Sequence, residues 1–253
     1  MHCRFAIIPI SPVVDYPVTL KVLTAICNMA LLILMEKDMC SGARKNELVS
    51  IVCDGVGSTM YGAQAAEIIA ESFREFRADE VSPNILIKHL NQVNRIIVEE
   101  QNRKDKGYSM ASTVAGMILY KDSFMAFNLG DTHIYKFAEG NLSLISYDHT
   151  VGNENNFLFW STNENKEALT RYMGGDGMAC YPFFKKGTVD NSVFLMCSDG
   201  IYKSVSEQDI KNVLVSGSSI DEKINRLFRL AVDGGSTDDI SIVLIDCSES
   251  EGE

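Results

Sequence analysis

Apolar residues follow two periods along the chain, and the change from one period to the other separates predicted helices from predicted strands. In residues 61–76 apolar side chains recur every three or four positions with charged residues between them, and the spacing returns after Ser82-Pro83. This pattern is typical of amphipathic helices. The apolar positions of the two predicted helices are Ala65, Ile69, Phe73, Phe76, Leu86, Leu90, Val93 and Ile97.

Short β-rich runs predict a sheet around these helices. Residues 48–53 form an apolar run that ends at Asp54-Gly55, which indicates a buried strand. Four further runs are separated by pairs of turn residues, as in an antiparallel meander. They cover residues 112–120, 123–128, 132–137 and 141–146.

The last third of the chain adds further strands and helices. Strands are predicted at 193–197 and 240–245, and helices at 206–215, where Ser206 is a candidate N-cap, and at 220–232. Runs of strands and runs of helices that are segregated rather than alternating predict an α+β layered architecture with a mainly antiparallel sheet.

One internal segment lacks any period. Residues 151–166 are polar and rich in asparagine, and they contain the only tryptophan, Trp160. We interpret them as a surface loop that is long enough to act as a lid.

The N-terminal segment is the least regular part of the pattern. Residues 18–35 are nearly apolar, interrupted by Lys21, Thr24 and Asn28, and their most apolar part, 22–35, is short for a membrane helix, which needs roughly 20 residues. We predict a buried or docked helix here, and a membrane anchor or targeting segment is the alternative. The chain is accordingly divided into an atypical segment at 1–45, a domain at 46–247 and an acidic, disordered tail at 248–253.

Composition narrows the class of protein. With 253 residues, 46% of them hydrophobic, the chain is long enough to bury the core of one large domain. The net charge of −11 opposes attraction to phosphate backbones, so we do not expect nucleic acid as a partner. The seven cysteines are scattered without CxxC spacing, which predicts buried thiols in a reducing compartment and therefore a cytoplasmic protein.

Four aspartates carry the candidate chemistry. Asp54, Asp131, Asp199 and Asp238 all lie in turns flanked by glycine or serine, and three of them adjoin an apolar run. Carboxylates at the ends of strands are held by the sheet, so several of them can converge on one place. A hard divalent cation makes such a cluster tolerable, because Mg²⁺ or Mn²⁺ accepts oxygen ligands and supplies positive charge. The pattern therefore predicts a metal site.

The blocks around these aspartates resemble, in order, the signature blocks of the metal-dependent type 2C (PPM) serine/threonine protein phosphatases of bacterial type. The matching blocks are residues 52–58, 128–135, 148–150, 196–201 and 236–243. Each block alone is a weak signal, whereas five in register over 46–246 are a strong one. The resemblance implies a four-layer αββα sandwich in which helices flank two mainly antiparallel sheets, with the site at one edge of the sheets.

The resemblance also implies roles for individual residues. Asp54 would bridge two Mn²⁺ or Mg²⁺ ions, the Gly55 carbonyl would bind one of them, and Asp199 and Asp238 would complete the other. Asp131 would hold a third, weaker ion together with Asp199. The implied reaction is hydrolysis of phosphoserine or phosphothreonine in a phosphorylated protein by a metal-activated water, and we expect a monomer. No Cys-x5-Arg phosphate loop is present, which disfavours a thiolate phosphatase.

The N-terminal edge departs from the family pattern. Arg44, Asn46 and Glu47 resemble the arginine and Asn-Glu-Asp block that grip the substrate phosphate, but Leu48 replaces the last aspartate and Arg44 is one residue too close. We keep Arg44 and Glu47 as candidate site residues, with a surface arginine as the alternative. The damaged block motivates a rival hypothesis, in which the protein is a weak or inactive relative that serves as a regulatory binding module. A wrongly assigned start of the chain is a third explanation.

The histidines do not suggest a zinc site. His149 follows a strand turn and is interpreted as a hydrogen-bonded structural residue, whereas His133 is interpreted as a surface residue on a strand. His2 and His89 have no cysteine or carboxylate partner at ligand spacing. Val56 stands where many eukaryotic members have a histidine, so metal-bound water would have to deliver the proton to the leaving group.

Overall fold

The computed structural model describes residues 19–23, 28–35, 47–74, 76, 81–103, 109–119, 122–154, 165–175 and 180–247. Within these ranges the strands are β1 (Thr19–Leu23), β2 (Asn28–Met35), β3 (Glu47–Asp54), β4 (Val114–Leu119), β5 (Ser123–Leu129), β6 (His133–Ala138), β7 (Asn141–Leu144), β8 (Phe183–Thr188), β9 (Val193–Cys197) and β10 (Ile242–Asp246). The helices are α1 (Gly62–Arg74), α2 (Pro83–Arg103), α3 (Val151–Glu154), α4 (Asp199–Tyr202), α5 (Glu207–Val215) and α6 (Ile220–Asp233).

The strands form two five-stranded sheets. One has the order β1-β10-β9-β6-β7 and the other the order β2-β3-β4-β5-β8, and the strand pairs in both are antiparallel. The predicted α+β, four-layer αββα sandwich is confirmed. The meander predicted between residues 112 and 146 is confirmed only in part: β4 pairs with β5 and β6 with β7, but these two antiparallel pairs lie in different sheets.

Alternation along the strands creates the layers. In β3, Val49, Ile51 and Cys53 belong to the core under α1 and α2, whereas Val52 belongs to the core between the two sheets. Successive side chains of a strand point to opposite faces, so a strand with both faces buried is apolar almost throughout. The same alternation in β9 places Cys197 under the helices α4 to α6 and Met196 between the sheets.

Two of the helices that cover the β1-β10-β9-β6-β7 sheet, α5 and α6, begin at serine caps. Ser206 accepts a hydrogen bond from the backbone N–H of Asp209 at the start of α5, and Ser219 forms a capping box with Glu222 at the start of α6. Each cap satisfies a backbone donor that the first helical turn leaves unpaired. The predicted cap at Ser206 is therefore confirmed.

The predicted N-terminal helix is wrong, because the described parts of 18–35 are strands. β1 pairs with β10 at the edge of one sheet, and β2 pairs with β3 at the edge of the other. A continuous apolar run is compatible with a buried strand as well as with a buried helix, so periodicity does not distinguish them. The segment placed before the domain thus contributes an edge strand to each sheet of the sandwich.

Other departures from the expectations are local. Within the loop predicted at 151–166, residues 151–154 form α3, whereas Trp160 lies outside the described residues, as does the acidic tail 248–253. The pattern missed the edge strand β8, whose Phe-Phe-Lys-Lys sequence does not alternate, and the single turn of α4.

No helix in the described ranges is long and apolar enough to cross a membrane.

His89 joins the two helices α1 and α2. Its ring lies between Phe73 and Phe76, with centroid distances of 4.9 and 4.6 Å. Its Nε2 lies 3.2 Å from the Ser72 hydroxyl oxygen, and that hydroxyl donates to the carbonyl of Ile69 at 2.6 Å. The serine oxygen therefore accepts from Nε2–H, and burial lowers the pKa of His89 from 6.5 to about 4.

The pKa of His89 makes folding stability depend on pH. Between pH 6.5 and about 4 the unfolded chain binds a proton at His89 that the folded chain does not bind, so stability falls as the pH falls through this window. In His89→Gln this contribution is absent. We expect urea denaturation of the variant to show a shallower loss of stability with decreasing pH than the native chain, by up to one proton per molecule unfolded. Parallel curves for the two proteins would refute the assignment.

Candidate metal centre

Four aspartates converge on one cavity at an edge of the sandwich. Asp54 ends β3, Asp131 follows β5, Asp199 begins α4 after β9, and Asp238 lies in the turn before β10. All four line a cavity of about 480 Å³. The convergence expected from their positions in strand-end turns is what the structure shows, although the sequence placed them up to almost two hundred residues apart.

Hydrogen bonds from the neighbouring strand hold the backbone of Asp54. Its N–H donates to Thr113 Oγ1 at 3.1 Å, and its carbonyl accepts from the Thr113 N–H at 2.8 Å and from the Ser112 hydroxyl at 2.9 Å. Thr113 Oγ1 lies 2.6 Å from Thr132 Oγ1. Because Thr132 follows Asp131, this pair of buried hydroxyls couples the position of one acidic turn to the other.

A buried serine joins the other two acidic turns. The Ser198 hydroxyl donates to the carbonyl of Asp239 at 3.0 Å and accepts from the Ser241 N–H at 2.9 Å. Ser198 immediately precedes Asp199, and Asp239 immediately follows Asp238. The two turns are therefore fixed relative to each other by a side chain that is fully buried.

The carboxylates lie close enough to perturb one another. Burial raises the pKa of Asp54 well above its usual range, and the charges of Asp199, Asp131, Asp238 and Asp239 raise it further. Burial and the charge of Asp199 likewise raise the pKa of Asp131. Mutual repulsion of this kind is relieved when a cation binds among the carboxylates.

The donor set fits a hard divalent cation. The Asp199 Oδ1 atom is buried and has no hydrogen-bond partner in the described part of the chain, although leaving such an atom unsatisfied typically costs about 1–3 kcal/mol. A carboxylate oxygen in this position is an available ligand for Mg²⁺ or Mn²⁺. No group of three acidic, histidine or cysteine side chains in the described ranges closes on a single point.

Two glycines bring the Asp54 turn against the first turn of α1. A Cβ atom on Gly55 would lie 2.5 Å from the backbone carbon of Gly62, and one on Gly62 would lie 2.9 Å from that of Gly55. Val56 then hydrogen-bonds through its N–H to the carbonyl of Ala111 at 2.9 Å. The turn that carries the predicted carbonyl ligand Gly55 is therefore positioned by direct backbone packing.

Glu47 is not part of this site, so its prediction as a site residue is wrong. It begins β3, whereas Asp54 ends it, and seven residues of strand at about 3.3 Å each separate them by roughly 23 Å. The residue paired with Asp54 across the sheet is Asn28, at the start of β2. The run from Leu48 to Cys53 is itself the strand, so it carries Glu47 away from the cavity. Arg44 lies outside the described residues.

The structure adds a cation that the sequence analysis missed. Lys203 Nζ lies 3.0 Å from Asp199 Oδ2 and 3.2 Å from Glu167 Oε2, and both Lys203 and Glu167 line the cavity. Tyr202 donates its hydroxyl to Asp131 Oδ2 at 3.2 Å. The signal was present in the sequence, because Lys203 follows Asp199 by four residues, the separation that brings side chains together on one helical turn.

The two histidines near the site have structural partners. His149 is buried and its Nδ1 lies 3.2 Å from both the N–H and the carbonyl of Gly130, which agrees with the structural interpretation. His133 is buried, so the prediction of a surface position is wrong. Its ring stacks on Tyr202 with a centroid distance of 3.6 Å, and its Nε2 lies 3.0 Å from Asp148.

Comparison with known proteins identifies the protein family of this chain. The sequence profile of the protein phosphatase 2C family matches residues 34–235. The serine/threonine phosphatase stp of Listeria welshimeri is 25% identical over 216 residues, which cover 80% of this chain and 86% of that protein. The chain belongs to the protein phosphatase 2C family.

Solved structures show the same fold. The serine/threonine phosphatase Stp1 from Staphylococcus aureus superposes with a TM-score of 0.78 at 18% identity, with the whole of both chains covered. The S. agalactiae serine/threonine phosphatase superposes with a TM-score of 0.77 at 21% identity, over 90% of this chain and 99% of that one. The αββα sandwich is thus retained at low sequence identity.

Because of the contact between Gly55 and Gly62, we expect Gly62→Ala to destabilise the protein, although helix propensity alone predicts the opposite. Alanine is normally better than glycine in a helix by about 1 kcal/mol, but Gly62→Ala would press its methyl group on backbone atoms of Gly55 and Val56 at 2.9 Å. We expect Gly62→Ala to lower the free energy of unfolding and to weaken Mn²⁺ binding. Chemical denaturation and calorimetric titration measure the two effects.

Gly57→Ala is the matched control for this variant. It lies in the same turn, and a Cβ there would meet no atom within 4 Å. We expect its stability and Mn²⁺ affinity to stay close to those of the native chain. Equal behaviour of Gly62→Ala and Gly57→Ala would show that the close packing is unimportant.

Proposed function

We propose that this protein hydrolyses phosphoserine and phosphothreonine in protein substrates with two divalent metal ions, Mn²⁺ or Mg²⁺, held at the aspartate cavity. Membership of the protein phosphatase 2C family makes the chain a protein phosphatase. The observation that carries the metal-dependent mechanism is the meeting of Asp54, Asp131, Asp199 and Asp238 at one cavity, with a buried oxygen of Asp199 left unsatisfied.

The proposed ligands are those that the family resemblance implies, and the arrangement of the acids around the cavity supports them. Asp54 is half-buried and faces the charges of the other acids, so its carboxylate would be a ligand to both ions, and the Gly55 carbonyl would bind one of them. Asp199, through its unpaired Oδ1, and Asp238 would hold the other ion. When bound by these residues, two hard cations would lower the pKa of a water molecule and screen the negative charge of the phosphoryl oxygens.

The protein's own contribution is to hold these ligands before the metal binds. Thr113 and Ser112 fix the backbone of Asp54, and Ser198 fixes the turns of Asp199 and Asp238. Because these contacts are already formed, binding of the ions requires little rearrangement of the main chain. Preorganised charge is the form of stabilisation that is most effective in a phosphoryl-transfer site.

The cysteines near the site do not supply a nucleophile. Cys53 and Cys197 adjoin the acidic turns, but both side chains are fully buried in the two cores beneath the helices. Burial raises the pKa of each thiol well above its usual range, so both stay protonated and inert at neutral pH. Hydrolysis by water therefore remains the mechanism that the described residues support.

The alternative, an inactive module that keeps the fold, is not favoured. It was motivated by the departures around Arg44 and Glu47, and Glu47 is far from the cavity whatever the activity of the protein. The curated relatives are named as phosphatases, including stp of Listeria welshimeri. A phosphoprotein substrate, a cytoplasmic location and a monomeric state are parts of the proposal.

Substitution of a proposed ligand tests the mechanism. We expect purified native protein to hydrolyse a phosphothreonine peptide when Mn²⁺ is added and to lose this activity on chelation. In Asp199→Asn the neutral amide replaces a charged ligand, so kcat/KM should fall by at least about 100-fold. Release of inorganic phosphate measures the reaction.

Asp233→Asn provides the matched control. It makes the same chemical change at an exposed residue at the end of α6, away from the cavity. We expect its activity to equal that of the native chain. Tight Mn²⁺ binding without turnover in the native protein would instead support the binding-module hypothesis.

A further inference from the structure

Lys203 is the only cationic side chain among the described residues that line the cavity. Its ammonium group contacts Asp199 at 3.0 Å and Glu167 at 3.2 Å, and its side chain is 43% exposed. The other charged residues of the lining are the acids Asp54, Asp131 and Asp238. The ammonium group of Lys203 therefore offsets part of the repulsion between the carboxylates that line the cavity.

The contact with Lys203 divides the two oxygens of Asp199 between different partners. Oδ2 accepts from Lys203, whereas Oδ1 is buried and has no hydrogen-bond partner among the described residues. A carboxylate serves two ions most readily when each of its oxygens is available to one of them. In this chain one oxygen of Asp199 is engaged by the protein itself.

One carboxylate oxygen of Asp131 is also occupied by a hydrogen bond within the chain. Asp131 Oδ2 accepts a hydrogen bond from Tyr202, the neighbour of Lys203 in α4. Asp131 and Lys203 line the same cavity, in which the ammonium group contacts Asp199. A second cation between these two acids would be repelled by the ammonium group at short range.

We propose that Lys203 is a built-in counter-cation that takes the place of a further divalent ion between Asp131 and Asp199. The proposal rests on the proposed metal centre and refines it, because Asp199 then serves one ion through Oδ1. It replaces the third ion that the family resemblance implied for this pair of acids. Lys203, rather than the concentration of available metal, thus limits the number of divalent ions that the site binds.

The contact between Lys203 and Glu167 gives the ammonium group a second anchor. Glu167 lies in the segment 165–175, and the backbone of its neighbour Lys166 accepts a hydrogen bond from the Gly152 N–H at 2.8 Å. Lys203 therefore joins this segment to α4 across the cavity. The charge of Lys203 and its role as a tether are separate properties, and variants distinguish them.

Counting bound Mn²⁺ tests the proposal without relying on activity. The full-length chain is stripped with a chelator, dialysed against increasing Mn²⁺ and analysed by elemental mass spectrometry and by electron paramagnetic resonance of the free ion. Lys203→Met removes the charge and keeps the length of the side chain, and we expect it to bind one more Mn²⁺ per chain than the native protein at saturation. Lys203→Gln should do the same, and it provides a second variant if Lys203→Met does not fold.

Three matched variants locate the effect. Lys203→Arg keeps the charge and should bind the native number of ions. Glu167→Ala removes the second anchor but leaves Lys203 beside Asp199, so the number of Mn²⁺ ions that it binds should also be native. The double variant Lys203→Met/Asp131→Asn removes an acid from the new site and should return the number to the native value.

The outcomes separate this proposal from the proposed function. Equal numbers of bound Mn²⁺ in native protein, Lys203→Met and Lys203→Gln would overturn the counter-cation role while leaving the central metal site intact. An additional ion in Glu167→Ala would also overturn it, because the contact with Glu167 rather than the charge of Lys203 would then control the number of bound ions. Failure of the native chain to bind any Mn²⁺ would overturn the metal centre itself.

Discussion

Repulsion between carboxylates is the constraint on which the active edge of this sandwich depends. Asp54, Asp131, Asp199 and Asp238 approach one another only because each is attached to a strand end or a helix start that the two sheets hold in place. Burial makes their charges costly and raises the pKa of Asp54 and Asp131. The fold therefore stores an unfavourable arrangement that becomes favourable when positive charge is supplied.

The polar groups around the cavity show how that arrangement is maintained. Thr113 and Thr132 couple the turns of Asp54 and Asp131, and Ser198 couples the turn that follows β9 to the turn that precedes β10. These residues need no charge of their own, since their hydroxyls are buried and exchange hydrogen bonds with the backbone. Positive charge comes in part from within the chain, through Lys203. The site thus combines fixed acids, neutral supports and one fixed cation.

Much of the fold and most of the central site were predictable, for local reasons. The helical spacing of Leu86, Leu90, Val93 and Ile97, the serine cap of α5 and the turns between strands depend on neighbouring residues, and the structure confirms them. The acidic turns were recognisable because glycine and serine flank each aspartate at the end of an apolar run. What joined them into one site was the order of the blocks rather than any single block.

The sequence by itself determined which residues are apolar, where turns occur and which carboxylates end strands, because these properties belong to residues within a few positions of one another. Only the tertiary structure decided that the apolar N-terminal run forms edge strands, that β3 carries Glu47 away from Asp54, and that Lys203 meets Glu167. Each of these depends on pairing between distant segments. An uninterrupted run of apolar residues is compatible with both a strand and a helix, and only its pairing with distant segments decides which of the two forms.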